Sequence, residues 1–411
     1  MALTYDELKT ATSGISSNPW DRVPPQMKDA ISTNEKLLFD VHTHVFNYKD
    51  IPDMFLGMRF DINKPMVQIL SLLVGVADFL PFIKLADLGR LLKKLRSSED
   101  ALFKDALADY QTLGYEPIFN VLMMDMRAIE NKKKKDLRTF EEQCESLVEL
   151  RNNNLAHILP FIALDPEHNI NHEQNFIDAF KTEQNFFGVK IYPSLGYLPS
   201  HPSLMNIFKI CEEKNIPVTT HCSSGKTRAS CKKIRIKGLK MLDGQPVIID
   251  EFVEFENHKA ETYRKYFNGP ERWLPVLHEC PNLKLNLAHF GGEHEWKCFL
   301  KEGSEWINTI EEMLLNPLYP NVYTDFSFTF SFKKYNQVLK GWLESKPHIK
   351  DYVLNGSDYF LTATERPLKR ILRKYFRQLG TAHIHQLGHT NAQKFLFSQH
   401  NANAQPQPLI S

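Results

Sequence analysis

The stretch LLFDVHTHVF, residues 37–46, sets apolar and aromatic residues around one aspartate and two histidines two positions apart. Strand side chains alternate between faces, so His42 and His44 share one face. Two neutral imidazoles held on one rigid strand make a natural metal chelate. The pair also fits one buried, hydrogen-bonded histidine and one loop histidine. What lies further along the chain decides between these.

Seven more short aliphatic or β-branched runs follow: PIFNVLMM (117–124), HILPFIAL (157–164), FGVKIYP (187–193), IPVTTH (216–221), LKLNLAH (283–289), NVYTDF (321–326) and DYVLNG (351–356). Helical patterns such as TFEEQCESLVELRNN, SLMNIFKICEEKN and NTIEEMLLN lie between most of them. Strands alternating with helices imply parallel strands joined by crossovers. Continuous apolar runs fit strands covered on both faces. Eight such units make an α/β chain that closes as a (β/α)8 TIM barrel, with its catalytic face at the C-terminal strand ends. An open doubly wound sheet would want a glycine-rich phosphate loop after the first strand. The sequence there is VHTHVFNYKD.

Residues 1–35 read as a leader with a short helix, 36–398 as the barrel and 399–411 as a flexible tail. Two long insertions, about 45–116 and 222–282, leave strands 1 and 5 at their C-terminal ends. They are expected to cap the catalytic face with helices. The segment 66–92 is the most apolar, but Asp78, Pro81, Lys84 and Asp87 interrupt it. A membrane span needs roughly 20 uninterrupted apolar residues. The segment therefore reads as buried or amphipathic helix, with a lid, membrane-surface or dimer-interface role as the alternatives, and no stable membrane insertion is expected.

The 411 residues are 42% hydrophobic and 24% charged, with 50 Lys and Arg against 49 Asp and Glu. That balance gives no nucleic-acid footprint. Six cysteines are scattered without a CxxC pair, which argues against a disulfide framework or a zinc ribbon. The N-terminus has no basic run followed by an apolar core, so a signal peptide is not expected. A cytoplasmic location with reduced thiols follows as the expectation.

The strand ends then carry the chemistry. Strand 5 ends in TTHCSSG with His221, strand 6 in LAHFGG with His289, and strand 8 in LNGSDYF with Asp358. Each histidine alone is more often a packing residue. Four histidines and an aspartate, all at C-terminal strand ends, converge on one face of a barrel. Taken in order, FDVHTHVF, GVKIYP, VTTHCSSG, LNLAHFGG and VLNGSDYF resemble the amidohydrolase superfamily. More narrowly they are similar to its amidohydrolase-2 group, which also holds aminocarboxymuconate-semialdehyde and dihydroxybenzoate-type decarboxylases. The resemblance runs from about residue 36 to about 398 and includes the closing GSDYFLTATERPLKRILRKYF and HTNAQKFLF. The two long insertions depart from the family pattern.

The resemblance implies that His42, His44, His221 and Asp358 ligate one divalent ion. Zinc (Zn2+) leads, with Mn2+, Fe2+ or Co2+ also suited to mixed nitrogen and oxygen ligands and a second metal left open. It implies a metal-activated water attacking an amide, lactone or ester carbonyl of a small, anionic substrate. Asp358 is then the base, and His289 polarises the carbonyl, moves a proton or ligates a second metal. Lys190, in GVKIYP, bridges two metals in carboxylated form, contacts an anionic substrate group, or is an ordinary rim lysine. Tyr192 and Tyr359 follow the strand motifs and are candidates for the pocket wall. Asp125 and Asp325 are candidates for orienting a ligand histidine, with solvated or capping roles equally compatible. Arg228 belongs to a basic run, with Lys or Arg at 226, 228, 232, 233, 235 and 237, that either contacts a substrate anion or is a solvated loop. His383, His385 and His389 read as surface or packing residues. Family members are often dimers, so a homodimer is compatible.

The same motifs equally fit a non-oxidative decarboxylase on this scaffold, in which protonation replaces hydrolysis. A non-enzymatic metal-binding or scaffold protein on a retired barrel is the reading from another class, and the intact ligand set argues against it.

Overall fold

The structure is a computed structural model that describes residues 3–51, 54–55, 58–59, 93–127, 137–181, 183–224, 233–255 and 260–399. Eight parallel strands form one sheet: β1 Leu37–Thr43, β2 Glu116–Leu122, β3 Ile158–Leu164, β4 Gly188–Ile191, β5 Val218–Ser223, β6 Leu285–Gly291, β7 Val322–Asp325 and β8 Val353–Leu354. Each pairs with its sequence neighbours in chain order. The ring closes where Val41 N–H donates to the Asn355 carbonyl at 2.9 Å and Asp358 N–H donates to the His42 carbonyl at 2.7 Å. This is the (β/α)8 barrel that the eight runs implied.

Every residue of β1, β3 and β6 is buried, as expected for strands packed on both faces. Phe39, Val41, Ile118, Phe161, Phe187, Tyr323 and Leu354 fill the lower barrel. The leader and the chain's last described helix plug that end. Helix Pro25–Thr33 buries Met27 and Ile31, helix Asn391–Phe397 buries Phe395 and Phe397, and Trp20 stacks on Phe397 with centroids 4.6 Å apart. The leader thus holds more structure than one short helix. Its first helix, Tyr5–Ala11, starts with a Thr4–Glu7 capping box and buries Leu8.

The insertion after β5 differs from the helical cap expected. It opens with two ten-residue antiparallel strands, Lys233–Leu242 and Gln245–Glu254. The turn between them is Asp243–Gly244, with φ of 49° and 76°. Two successive positive φ values suit the right-handed twist of a tight hairpin, and Asp-Gly supplies them at low cost. Helices Ala260–Asn268 and Leu274–Glu279 follow. In the insertion after β1, helix Glu99–Gln111 leads into β2. The apolar 66–92 segment and the tail from residue 400 lie outside the described residues. Among the described residues, no helix is long and apolar enough to cross a membrane.

Candidate metal centre

A defect in β1 turns its first histidine inward. Phe39 and Val41 already face the barrel interior, so strict alternation would send His42 outward. The ladder to β2 shifts register between Asp40 and Thr43, where Asp40 pairs with Phe119 and Thr43 with Val121. Val41 and His42 together therefore oppose Asn120, a β-bulge that re-aims a side chain. His42 is completely buried, and His44 is 4% exposed.

The outer nitrogens of both rings are fixed. His44 Nδ1 lies 2.8 Å from the Leu122 carbonyl, which only accepts, so this nitrogen carries the proton. His42 Nδ1 lies 3.1 Å from the Asp325 carboxylate. Both Nε2 atoms are then left with lone pairs, and they face each other at 3.2 Å. Two acceptors at that separation repel unless a cation lies between them. His42, His44 and Asp358 each bring a ligand atom within 4.8 Å of the others, and so do His42, His289 and Asp325.

The remaining residues arrive from the other strand ends. His289 and Phe290 have φ of 77° and 47°, and Asp358 has φ of 45°. Left-handed backbone at non-glycine residues is costly and gathers at functional sites. His289 Nε2 lies 3.0 Å from His221 Nδ1, and the His42 and His289 rings are 4.5 Å apart. Tyr192 packs edge-on to His221 at 4.8 Å. Burial lowers the pKa of all four imidazoles, so they stay neutral with lone pairs available.

Lys190 and Asp358 are fully enclosed, and neither Lys190 Nζ nor Asp358 Oδ1 has a hydrogen-bond partner among the described residues. Burial pushes Lys190 down to about 8, with Asp325 and Asp358 partly opposing the shift. Burial pushes Asp358 up to about 7, with Lys190 partly opposing. A carboxyl short of positive charge, an orphaned carboxylate oxygen and neutral imidazoles fit a divalent ion.

Asp325 organises the layer behind. It accepts from Asn286 Nδ2 at 2.8 Å, His289 N–H at 3.1 Å and Ser327 N–H at 3.0 Å, besides its contact with His42. Its pKa is held below the usual carboxylate range: burial opposes ionisation, but His42, then His289 and Ser327, outweigh it. Ser327 Oγ sits 3.1 Å from His42 Nδ1 and 2.8 Å from His289 Nδ1. The sequence marked Asp325 as a candidate for this place but missed Ser327 and Asn286.

Other candidates separate from the centre. Asp125 is taken by Arg127 in a two-pronged pair at 2.7 and 2.6 Å. Tyr359 is buried, and its hydroxyl meets Lys94 Nζ at 2.7 Å. Arg228 lies outside the described residues. Two of its basic neighbours, Lys233 and Arg235, pair across the hairpin with Glu254 and Asp250 at 3.2 and 2.6 Å. His389 donates from Nδ1 to the Leu37 carbonyl at the start of β1, accepts from Gln393 Nε2 and stacks on His385, a packing role at the barrel end away from the C-terminal strand ends.

Similar folds occur in solved structures. One is the 5-carboxyvanillate decarboxylase of Novosphingobium aromaticivorans, which holds manganese and 3-methoxy-4-hydroxy-5-nitrobenzoic acid. It is 12% identical, with 89% of this chain and 98% of that chain covered and a TM-score of 0.50. The 2,6-dihydroxybenzoate decarboxylase of Rhizobium is 13% identical, covering 88% and 98% with a TM-score of 0.44. The 4-oxalomesaconate hydratase of Rhodopseudomonas palustris is 14% identical, covering 87% and 95% with a TM-score of 0.45. A search of curated proteins found no match. The Amidohydrolase family profile Amidohydro_2 matches residues 39–397, nearly the whole barrel, and the chain belongs to that family.

Proposed function

We propose that the protein is a divalent-metal-dependent hydrolase acting on an amide, lactone or ester carbonyl of a small, anionic substrate. The observation that carries this reading is the pair of lone-pair nitrogens of His42 and His44 facing each other beside Asp358. His221 and His289 complete the imidazole ring around them. A bound ion supplies Lewis acidity to the carbonyl and to the attacking water. Asp358 Oδ1, which has no other hydrogen-bond partner among the described residues, takes the water's proton and passes it to the leaving group. In this reading His289 polarises the carbonyl oxygen. Lys190 holds the substrate's negative charge in the dry interior.

Decarboxylation is the second reading, and the enclosure of the site favours it. His42, His44, Lys190, His289 and Asp358 are at most 6% exposed. Stripping water from a carboxylate favours its loss as carbon dioxide. The carbon–carboxylate bond breaks, its electron pair stays on carbon, and Asp358, whose carboxyl burial raises to about 7, delivers the proton. Buried free thiols support a reducing, cytoplasmic setting for either chemistry.

The test is a zinc- or manganese-loaded enzyme assayed against N-acyl amino acids, lactones and esters, and in parallel against carboxylated aromatics. Release of a new carboxylic acid with one water oxygen incorporated is the expected result. Carbon dioxide release alone would move the conclusion to the lyase. Metal content settles Lys190 separately: about one ion per chain fits a substrate contact, and about two would make it a bridge.

A further inference from the structure

Below the histidines the barrel interior is polar where a barrel core is ordinarily aliphatic. Lys190, Thr219 and Asn286 form one hydrogen-bond row across three adjacent strands: Lys190 pairs with Thr219, and Thr219 pairs with Asn286. All three are at most 1% exposed. Lys190 Nζ, Thr219 Oγ1 and Asn286 Oδ1 each lack a hydrogen-bond partner among the described residues. On β2, Asn120 opposes the bulge at His42, and both its amide atoms lack one too.

The polarity of the row is fixed by its neighbours. Asn286 gives its Nδ2 to Asp325 at 2.8 Å. A carboxylate only accepts, so the other amide atom is the oxygen, an acceptor with nothing to accept. Lys190 only donates, and Thr219 does either. Unpaired buried polar atoms cost roughly 1–3 kcal/mol each, so a run of them in one row needs a reason.

We infer that the row Lys190, Thr219 and Asn286, together with the buried amide of Asn120 on β2, is a specificity subsite taking an anionic oxygen that has an O–H or N–H donor beside it. The anionic oxygen accepts from Lys190 and Thr219, and the donor serves Asn286 Oδ1. The inference deepens the function proposed above and rests on it for the position of the reacting carbon. It adds Thr219, Asn286 and Asn120 as residues that choose the substrate; Asn286 also holds Asp325 behind His42, so the variants are made at Thr219 and Asn120.

The test uses full-length, zinc-loaded protein with glycolate and acetate as matched probes, one with the neighbouring hydroxyl and one without. Zinc content is measured first, so failure of the metal reading shows before any probe is added. Wild type should be stabilised against heat more by glycolate than by acetate. Thr219→Val keeps the shape and deletes the hydroxyl; Asn120→Leu deletes the buried amide of β2. Each should raise the probe-free Tm by about 1–3 °C, because an unpaired buried polar atom is gone. Each should also weaken glycolate binding about tenfold or more and shrink its advantage over acetate. A purely structural hydrogen-bond network predicts the reverse: lower Tm in both variants and an unchanged glycolate preference. Either that result, or equal stabilisation of wild type by both probes, overturns the inference. Simple chelation of zinc by glycolate would leave the preference intact in both variants and counts against it as well.

Discussion

Gly356 lies in the turn between β8 and Asp358, and its missing side chain leaves room for His42. A Cβ built on it would stand 2.7 Å from His42 Cβ, 3.3 Å from His42 N and 3.3 Å from Ser327 Cβ. Ordinary contact begins at 3.4 Å, so Gly356→Ala must open the gap to His42 by about 0.7 Å. The atoms it meets belong to the backbone or are fixed directly to it, so no flexible tip can swing aside. Overpacking of this kind costs about 1–3 kcal/mol. Metal–ligand distances hold only to within about 0.2 Å, so a His42 shifted by half an ångström no longer meets the ion shared with His44 and Asp358. The variant should unfold at lower temperature and lose at least about tenfold in zinc affinity, read by competition with a chromophoric chelator. Gly341→Ala is the control. Gly341 is exposed in helix Lys333–Ser345, and a Cβ there meets nothing within 4 Å. It should gain about 0.5–1 kcal/mol from the helix propensity of alanine. Zinc affinity and Tm equal to wild type in Gly356→Ala would refute the placement of His42 against this turn.

Ser327→Ala removes the hydroxyl shared by His42 and His289, and metal affinity should fall about 10- to 100-fold with the fold intact by circular dichroism; unchanged affinity would show that Asp325 alone fixes the ring. Lys284 is 1% exposed at the base of β6 and meets the Leu396 carbonyl at 3.3 Å. Burial, with Arg22 adding to it, pushes its ammonium down from 10.5 to about 7. Between those values the unfolded chain holds the extra proton, so stability from this group rises as pH climbs from about 7 toward about 10. Lys284→Met should flatten that rise in Tm against pH, and a slope as steep as wild type would contradict it. Chelation should lower the Tm of wild type and leave the double variant His42→Ala/His44→Ala unmoved; an equal drop in both would place the stabilising ion elsewhere.

The wall of the barrel was legible because burial on both faces leaves a trace in composition. The eight apolar runs match eight strands whose ends shift by only a few residues. The hairpin arms were equally legible and were missed: KIRIKGLKMLDGQPVIIDEFVE alternates, turns at Asp-Gly and is rich in isoleucine and valine. Its basic residues read instead as a loop, solvated or contacting a substrate anion. The centre was legible only in part. That His42 and His44 share a side follows from period two, but that the side is the interior depends on the bulge opposite Asn120, which no local residue type announces. Asp125 and Asp325 looked alike in the sequence because each ends a strand. Their fates diverged through neighbours: Arg127 claims the first from two residues away, whereas Asn286, His289 and His42 reach the second from other strands. Ser327 and Asn286 had no signal of their own, since their importance comes from strand register. The turns after His289 and before Asp358 did carry one, the glycines of HFGG and NGSD. Glycine there admits the close approach of Gly356 to His42 and the positive φ values at Gly291 and Gly292. Placing His289 and Asp358 themselves in left-handed backbone costs stability that local packing does not require. A chain that keeps such strain at two ends of one barrel face keeps it where side chains must converge on a point rather than lie flat along a wall.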